Sequence, residues 1–183
     1  FIKDTGEKSL EEFANQSKIY FDKNQQETLI PHSKKNTEKE ISSLMDINIE
    51  NCLNELPSSF SDFEINKKNP SFETEISDDK TSFNLILPLI IKKQDKTYEL
   101  NEFNNIEISI RLGIINRAIY EIIDEQKLHP NSICITCIGK IAEKYDLYIN
   151  IEYFDDSIIE FTIQDENSKI NNKFYEFKFI NKY

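Results

Sequence analysis

The sequence LYINIEYFDDSIIEFTIQDENSKINNKFYEFKFINKY, residues 147–183, decides the fold, because it contains three short segments in which apolar and polar residues alternate. Residues 147–153, 159–163 and 174–180 each place every second side chain on one side. This is the period of a half-buried β-strand. The acidic pair at 155–156 predicts the turn between the first two strands.

The three predicted strands form an antiparallel meander. The polar residues 165–172 predict a longer loop before the last strand, in which Tyr175, Phe177 and Phe179 share one side. The sheet therefore has an aromatic face that other elements must cover.

Two helices are predicted just before the meander. Residues 114–128 carry isoleucines at helical spacing and end before Pro130. In the next segment apolar residues recur every three or four positions up to Asp146, which favours a helix, whereas the β-branched residues of 132–138 leave a strand open there. Helices packed on one face of an antiparallel sheet give an α+β fold.

Earlier strands extend the sheet. Residues 83–91 form an apolar run that contains Pro88, which predicts an edge or bulged strand. Residues 97–103 are its return arm. Residues 106–112 alternate like a strand but also fit a helical stripe, and we favour the strand.

The first third of the chain predicts two amphipathic helices. Ser9 and Glu12 form a capping box at the start of the first, whose stripe extends to Phe21 and which stops before Pro31. Thr37 caps the second, which ends at Pro57. Both helices need a surface to pack on, either the meander or another protein.

The polar and acidic residues 58–82 predict a linker, or a docking segment that orders on a partner. The predicted organisation is therefore a helical extension over residues 1–57, a linker over 58–82 and an α+β domain over 83–183. The chain begins with Phe1 rather than methionine, so we expect a processed or excised fragment whose targeting segment could lie upstream.

The formal net charge of −11 argues against binding to nucleic acid, because phosphate backbones require clustered lysine and arginine. Acidity fits a partner protein with a basic surface, or solubility alone. No apolar run approaches the roughly 20 residues that a membrane-spanning helix needs.

The sequence predicts no cofactor, no metal site and no catalytic centre. The three cysteines do not make a disulfide framework, so the pair Cys134 and Cys137 is interpreted as ordinary buried thiols. His32 and His129 have no ligand-type residues at readable spacing, and the three glycines cannot make a phosphate-binding loop.

Acidic side chains are the other residues that could form a catalytic or metal site. Acidic pairs lie at 124–125 and 155–156, and a carboxylate site with Glu152 or Glu160 would need a lysine such as Lys140 or Lys144. A carboxylate-dependent metal enzyme is therefore kept as an alternative.

We expect a non-enzymatic module that binds another protein, either an adaptor or structural subunit, or an acidic inhibitor of the immunity type that covers a basic active site. An intracellular location is favoured. The predicted partner-binding side chains are Phe13, Tyr20, Ile41, Met45, Phe60, Phe63 and Phe72.

Overall fold

A computed structural model describes residues 2–16, 18–23, 33–59, 63–155 and 157–183. The elements in chain order are α1 (Ile2–Ala14), β1 (Lys18–Asp22), α2 (Lys34–Ser59), β2 (Glu64–Lys67), β3 (Ser71–Ile76), β4 (Thr81–Lys93), β5 (Lys96–Ile108), α3 (Leu112–Leu128), α4 (Ile135–Tyr145), β6 (Tyr148–Tyr153), β7 (Ile158–Ile170) and β8 (Lys173–Lys182). The α+β prediction is confirmed.

The strands form two sheets. The first has the order β1-β8-β7-β6, in which β1 is parallel to β8 and the other pairs are antiparallel. In the second sheet β4 is central, with β5 on one side and both β2 and β3 on the other. All pairs of the second sheet are antiparallel.

The predicted C-terminal meander is confirmed, and its aromatic face is buried at Tyr175, Phe177 and Phe179. The predicted loop over residues 165–172 is wrong, because β7 continues to Ile170 and a two-residue turn leads directly into β8. Both turn residues are asparagines with positive φ, a conformation that asparagine tolerates better than most residues and that tight hairpins require.

A bulge between Asp165 and Lys169 allows β7 to carry this polar sequence. The Asp165 carboxylate is fully buried and accepts two hydrogen bonds from Arg111, at 3.0 Å from Nε and 2.6 Å from Nη2. Ser168 in the same bulge donates to Asp165 and accepts the backbone N–H of Arg111. The bulge thus anchors the segment between β5 and α3 to the first sheet.

Strand β4 is central rather than an edge strand, but its register is irregular at the proline, so of the two predicted alternatives the bulged strand is confirmed. The ladder with β3 ends at Ile86 and the ladder with β2 begins at Leu89, so Pro88 falls between them. The register with β5 also shifts between Ile86 and Leu89. A missing N–H is therefore tolerated in a central strand, and the carbonyl of Pro88 still accepts the N–H of Lys68 at 3.1 Å.

The first predicted helix is wrong in its bounds. Helix α1 begins at Ile2, so Ser9 is not its cap but lies inside it, where its hydroxyl donates to the carbonyl of Thr5 at 2.9 Å. Tyr20 and Phe21 belong to β1, because the edge of β8 supplies them with a parallel partner strand. Local helical spacing could not anticipate that pairing.

Helix α1 lies between the two sheets. A Cβ added to Gly6 would meet Ile108 of β5 at 2.8 Å, so α1 packs closely on the second sheet at a residue without a side chain. Towards the first sheet, the ring centroid of Phe13 lies 5.6 Å from that of Phe177. The buried hydroxyl of Tyr175 donates to the carbonyl of Leu10 at 3.0 Å.

Helix α2 closes the free edge of β3. Backbone N–H groups of alternate β3 residues donate to side chains spaced four apart on α2. The bonds run from Phe72 N to Asp46 Oδ1 (3.0 Å), from Thr74 N to Ser42 Oγ (3.1 Å) and from Ile76 N to Glu38 Oε1 (3.0 Å). The match arises because four helical residues rise about 6 Å, close to the rise of two strand residues. Burial raises the pKa of Asp46, although the N–H of Phe72 acts to lower it.

The predicted second helix is confirmed in type, and its apolar face is buried at Ile41, Met45, Ile49 and Leu53. It begins at Lys34, one turn before the predicted cap, and ends at Ser59, two residues beyond the predicted stop. Such differences lie within the usual uncertainty of helix ends.

The described part of residues 58–82, where the sequence predicts a linker, contains the end of α2, the strands β2 and β3 and the start of β4. Most side chains of β2 and β3 are exposed, which is consistent with the polar sequence of these strands. Phe72 and Ile76 of β3 are the buried exceptions. The described parts of residues 1–57, 58–82 and 83–183 contribute to one hydrophobic core.

The two isoleucine-rich helices are confirmed. The strand favoured over residues 106–112 ends at Ile108, and α3 begins at Leu112. Residues 135–138, where a strand was left open, are helical. Helix α3 contacts β1 and α4 contacts β6, while α1 contacts β8. Cover for the meander therefore includes α1 as well as the preceding helices.

The hydrogen bonds between α2 and β3 predict a measurable contribution to stability. Ser42→Ala removes the acceptor of the Thr74 N–H, and we expect a loss of about 1 kcal/mol in the free energy of unfolding. Ser43→Ala is the matched control, because the hydroxyl of Ser43 is exposed and donates only within its own helix. Urea denaturation of both variants measures the difference, and equal stabilities would contradict this role of Ser42.

The buried pair of Asp165 and Arg111 predicts a dependence of stability on pH. Burial opposes ionisation of Asp165, but hydrogen bonds from Arg111, Ser168 and the N–H of Asn167 outweigh it and lower the pKa of the carboxyl. A lowered folded-state pKa gives stability that is complete above the unfolded value of about 3.9 and is lost as the pH falls through the folded value.

We therefore expect Asp165→Asn to cost about 3 kcal/mol at neutral pH and to reduce the loss of stability below about pH 4. Asp124→Asn is the control, because Asp124 is exposed and pairs only with Lys127 three residues away in α3. Urea titrations at a series of pH values measure both effects. An unchanged acid dependence in Asp165→Asn would contradict the assignment.

Candidate partner-binding surface

Most of the predicted partner-binding side chains lie in the interior. Phe13, Tyr20, Ile41, Met45 and Phe72 are all buried in the common core. Their side chains therefore contact the rest of this chain and form no exposed surface. Burial raises the pKa of the Tyr20 hydroxyl, with the nearby Glu40 adding to the effect. The apolar spacing that marked these residues reflects core packing.

The two remaining predicted residues differ. Phe60 lies outside the described residues. Phe63 is half-buried just before β2, and the Lys93 ammonium stands 4.6 Å from its ring centroid. Phe63 therefore packs beside the end of the β4–β5 hairpin, which is the most exposed part of the second sheet.

The hairpin of β4 and β5 extends beyond the helices that cover the rest of the sheet. We call its residues 92–102 the hairpin arm, and each of them is exposed. Tyr98 is 53% exposed and Leu100 is 45% exposed. These two side chains are the large apolar residues of an otherwise polar segment.

Register places Tyr98 and Leu100 on the face that forms the core elsewhere in the sheet. Tyr98 lies opposite Ile91, and Leu100 lies opposite Leu89, which is buried. On the other side of β4, Ile65 of β2 also lies opposite Ile91. The core face of the sheet thus continues onto the hairpin arm as a partly uncovered apolar strip.

The opposite face of β5 carries a carboxylate in the same segment. Glu99 pairs in register with Ile90, and it lies between Tyr98 and Leu100 in sequence, so its side chain is on the other face of β5. Glu102 follows Leu100 by two residues and lies on the same face as Leu100, because the extra residue at the register shift belongs to β4. A strand laid beside β5 would therefore meet Tyr98, Leu100 and Glu102 on one face and the exposed Glu99 on the other.

The outer edge of β5 is open within the described residues. There β5 pairs with β4 alone, whereas the N–H groups of the β3 edge are satisfied by α2. β5 is 13 residues long, and a free strand edge of that length is a template for pairing with another chain. The edge strands of the first sheet, β1 and β6, have only five and six residues.

The predicted carboxylate site is partly assembled. Glu152 and Glu160 lie opposite each other on β6 and β7. The neighbouring cation is Lys178 of β8, at 3.7 Å from Glu160, rather than Lys140 or Lys144. Lys144 instead pairs with Glu121 of α3 at 2.5 Å.

The interpretation of Cys134 and Cys137 as buried thiols is wrong. A disulfide joins them, and both residues are half-buried. The carboxylate of Glu125 lies near the two sulfurs, with all three groups within 4.8 Å of one another. The disulfide occupies both sulfurs, so in this state they do not offer thiolates to a metal ion. Spacing alone could not reveal the pairing, because CxxC motifs serve several chemistries.

Comparison with known proteins gives no relative: no family model, no curated protein and no solved structure matches the chain. None of the described helices is long and apolar enough to cross a membrane.

Proposed function

We propose that this protein is a binding module, an adaptor or structural subunit, that receives an extended segment of a partner protein along the free edge of β5. The single observation that carries the proposal is the exposure of Tyr98 and Leu100 on a strand whose outer edge is open within the described residues. Main-chain hydrogen bonds would supply affinity, and alternate side chains would supply specificity.

The chemistry of β5 defines the partner segment. On one face it must carry apolar side chains that cover Tyr98 and Leu100. On the other it must carry lysine or arginine beside Glu99. The expected partner segment therefore alternates apolar and basic residues, which fits a basic partner for an acidic chain.

The charges of the hairpin arm are separated along its length. The arm has three lysines, at 92, 93 and 96, and three carboxylates, at 95, 99 and 102, so it has no net charge, whereas the whole chain has a net charge of −11. The lysines lie near the tip of the arm, where Lys92 pairs in register with Thr97 and Lys93 with Lys96, and Glu99 lies between Tyr98 and Leu100 farther along β5. A cationic side chain of a partner would meet attraction at Glu99.

A synthetic peptide tests the proposal. We expect a seven-residue peptide in which valine and lysine alternate to shift the amide NMR signals of residues 96–102. A peptide with alternating valine and glutamate should not, because its carboxylates would face Glu99. A third peptide with the valines in one block keeps the composition of the first but removes the alternation, and it should bind more weakly.

Variants locate the binding surface. The double variant Tyr98→Lys, Leu100→Lys should raise the Kd of the valine–lysine peptide at least about tenfold, because the apolar strip is lost and the valines of the peptide would face charged side chains. Tyr148→Lys is the control, since Tyr148 is an exposed aromatic residue on another edge strand. Shifts outside 96–102, or equal affinity for the double variant, would contradict the proposal.

A further inference from the structure

The disulfide between Cys134 and Cys137 lies at the start of α4. Cys134 is the residue that caps this helix, and its sulfur accepts the backbone N–H of Cys137 at 3.3 Å. The bond spans three positions in one turn, so it joins no separate elements of the fold. A loop this short restrains the unfolded chain less than a long one would. The location of the bond therefore indicates a role other than cross-linking the structure.

The loop between α3 and α4, which precedes the disulfide, is held by hydrogen bonds from a buried side chain of α3. Gln126 is buried, and its side-chain amide donates to the carbonyl of His129 at 2.7 Å and to that of Ser132 at 3.3 Å. Its carbonyl oxygen accepts the hydroxyl of Tyr183 at the end of the chain. The segment between α3 and α4 is thus held by hydrogen bonds that do not involve the disulfide.

The surface beside the disulfide suits a polypeptide. Leu128, one helical turn after Glu125, is 72% exposed, and Ile135, directly after Cys134, is 58% exposed. Exposed apolar side chains beside a half-buried disulfide allow another chain to approach the sulfur atoms. The Glu125 carboxylate within 4.8 Å of both sulfurs adds a proton acceptor.

We propose that Cys134 and Cys137 form a reversible thiol–disulfide exchange site that acts on a cysteine pair of another protein. This activity goes beyond the proposed binding function and uses a different part of the molecule. It differs from a structural disulfide in that the folded protein is stable in both the oxidised and the reduced state.

The exchange proceeds in two displacements. In the reduced protein the Cys134 thiolate, stabilised by the N–H of Cys137, attacks one sulfur of the partner's disulfide. A mixed disulfide forms, and the partner's second sulfur leaves as a thiolate that takes a proton from water. The Cys137 thiol then passes its proton to Glu125 and attacks the sulfur of Cys134.

This second displacement releases the partner's remaining sulfur as a thiolate, which is also protonated. Two electrons have moved from Cys134 and Cys137 to the partner, which is now a dithiol. The same steps in reverse reduce the bond between Cys134 and Cys137 at the expense of a partner dithiol.

Glutathione is the probe for the test. The full chain with Cys52→Ser, which leaves only the pair, is equilibrated with mixtures of reduced and oxidised glutathione, quenched with acid and labelled with N-ethylmaleimide. As the share of oxidised glutathione rises, measurement of the intact mass should show the number of labelled cysteines falling from two to none in one reversible step. Circular dichroism should remain unchanged across that step.

Single substitutions separate the two cysteines. With Cys137→Ser, oxidised glutathione should form a stable adduct on Cys134. With Cys134→Ser, the adduct on Cys137 should form at least about threefold more slowly, because the N–H that stabilises the Cys134 thiolate has no counterpart at Cys137 among the described residues. Glu125→Gln should slow closure of the disulfide by about tenfold, less than a usual general base provides because water also reaches the half-buried thiol.

Three results would overturn the proposal. Unfolding on reduction would make the disulfide structural. Glutathione adducts on both cysteines without an intramolecular bond would exclude a functional pair. Equimolar Zn²⁺ that blocks labelling of both cysteines in the reduced protein would identify a metal site instead.

Discussion

The packing of α1 between the two sheets is the constraint on which the rest of the structure depends. Its Gly6 side approaches Phe83 and Ile108 of the second sheet, and its Phe13 side meets Phe177 of the first. Without α1 both sheets would expose part of their apolar faces, at a cost of roughly 25 cal/mol for each Å². The two sheets therefore share one interior.

Much of the C-terminal half could be predicted because local and tertiary preferences agree there. Tyr175, Phe177 and Phe179 alternate and are buried on one face, and the spacing of the isoleucines in α3 matches their burial. The bulge of β7 was missed because its polar residues resemble a loop, although Asp165 is buried to bind Arg111. A buried ion pair between distant residues leaves no local pattern.

The first third was harder to predict because its partners lie far away in sequence. Tyr20 continues a helical stripe, yet it belongs to β1, which pairs with β8 about 160 residues later. Phe13 and Met45 were expected at a partner surface because amphipathic helices reveal that a face is apolar without revealing what covers it. The exposed Tyr98 and Leu100 of the hairpin arm carried no distinct sequence signal, since their exposure depends on where the covering helices end.

The two edges of the second sheet connect the fold with the proposed function. At β3 the side chains of Glu38, Ser42 and Asp46 satisfy the backbone groups that a neighbouring strand would otherwise bind. At the outer edge of β5, no strand within the described residues pairs with the backbone groups. Closing one edge restricts strand addition to the other, where apolar and acidic side chains select the partner.

We infer that the N-terminal helices and the C-terminal strands form a single cooperative unit, and expression of residues 83–183 alone tests this inference. We expect this fragment to give poorly dispersed amide NMR signals and no cooperative urea transition, because the faces that α1 covers become exposed. A fragment that unfolds cooperatively and retains the amide shifts of the full chain along β6, β7 and β8 would contradict it.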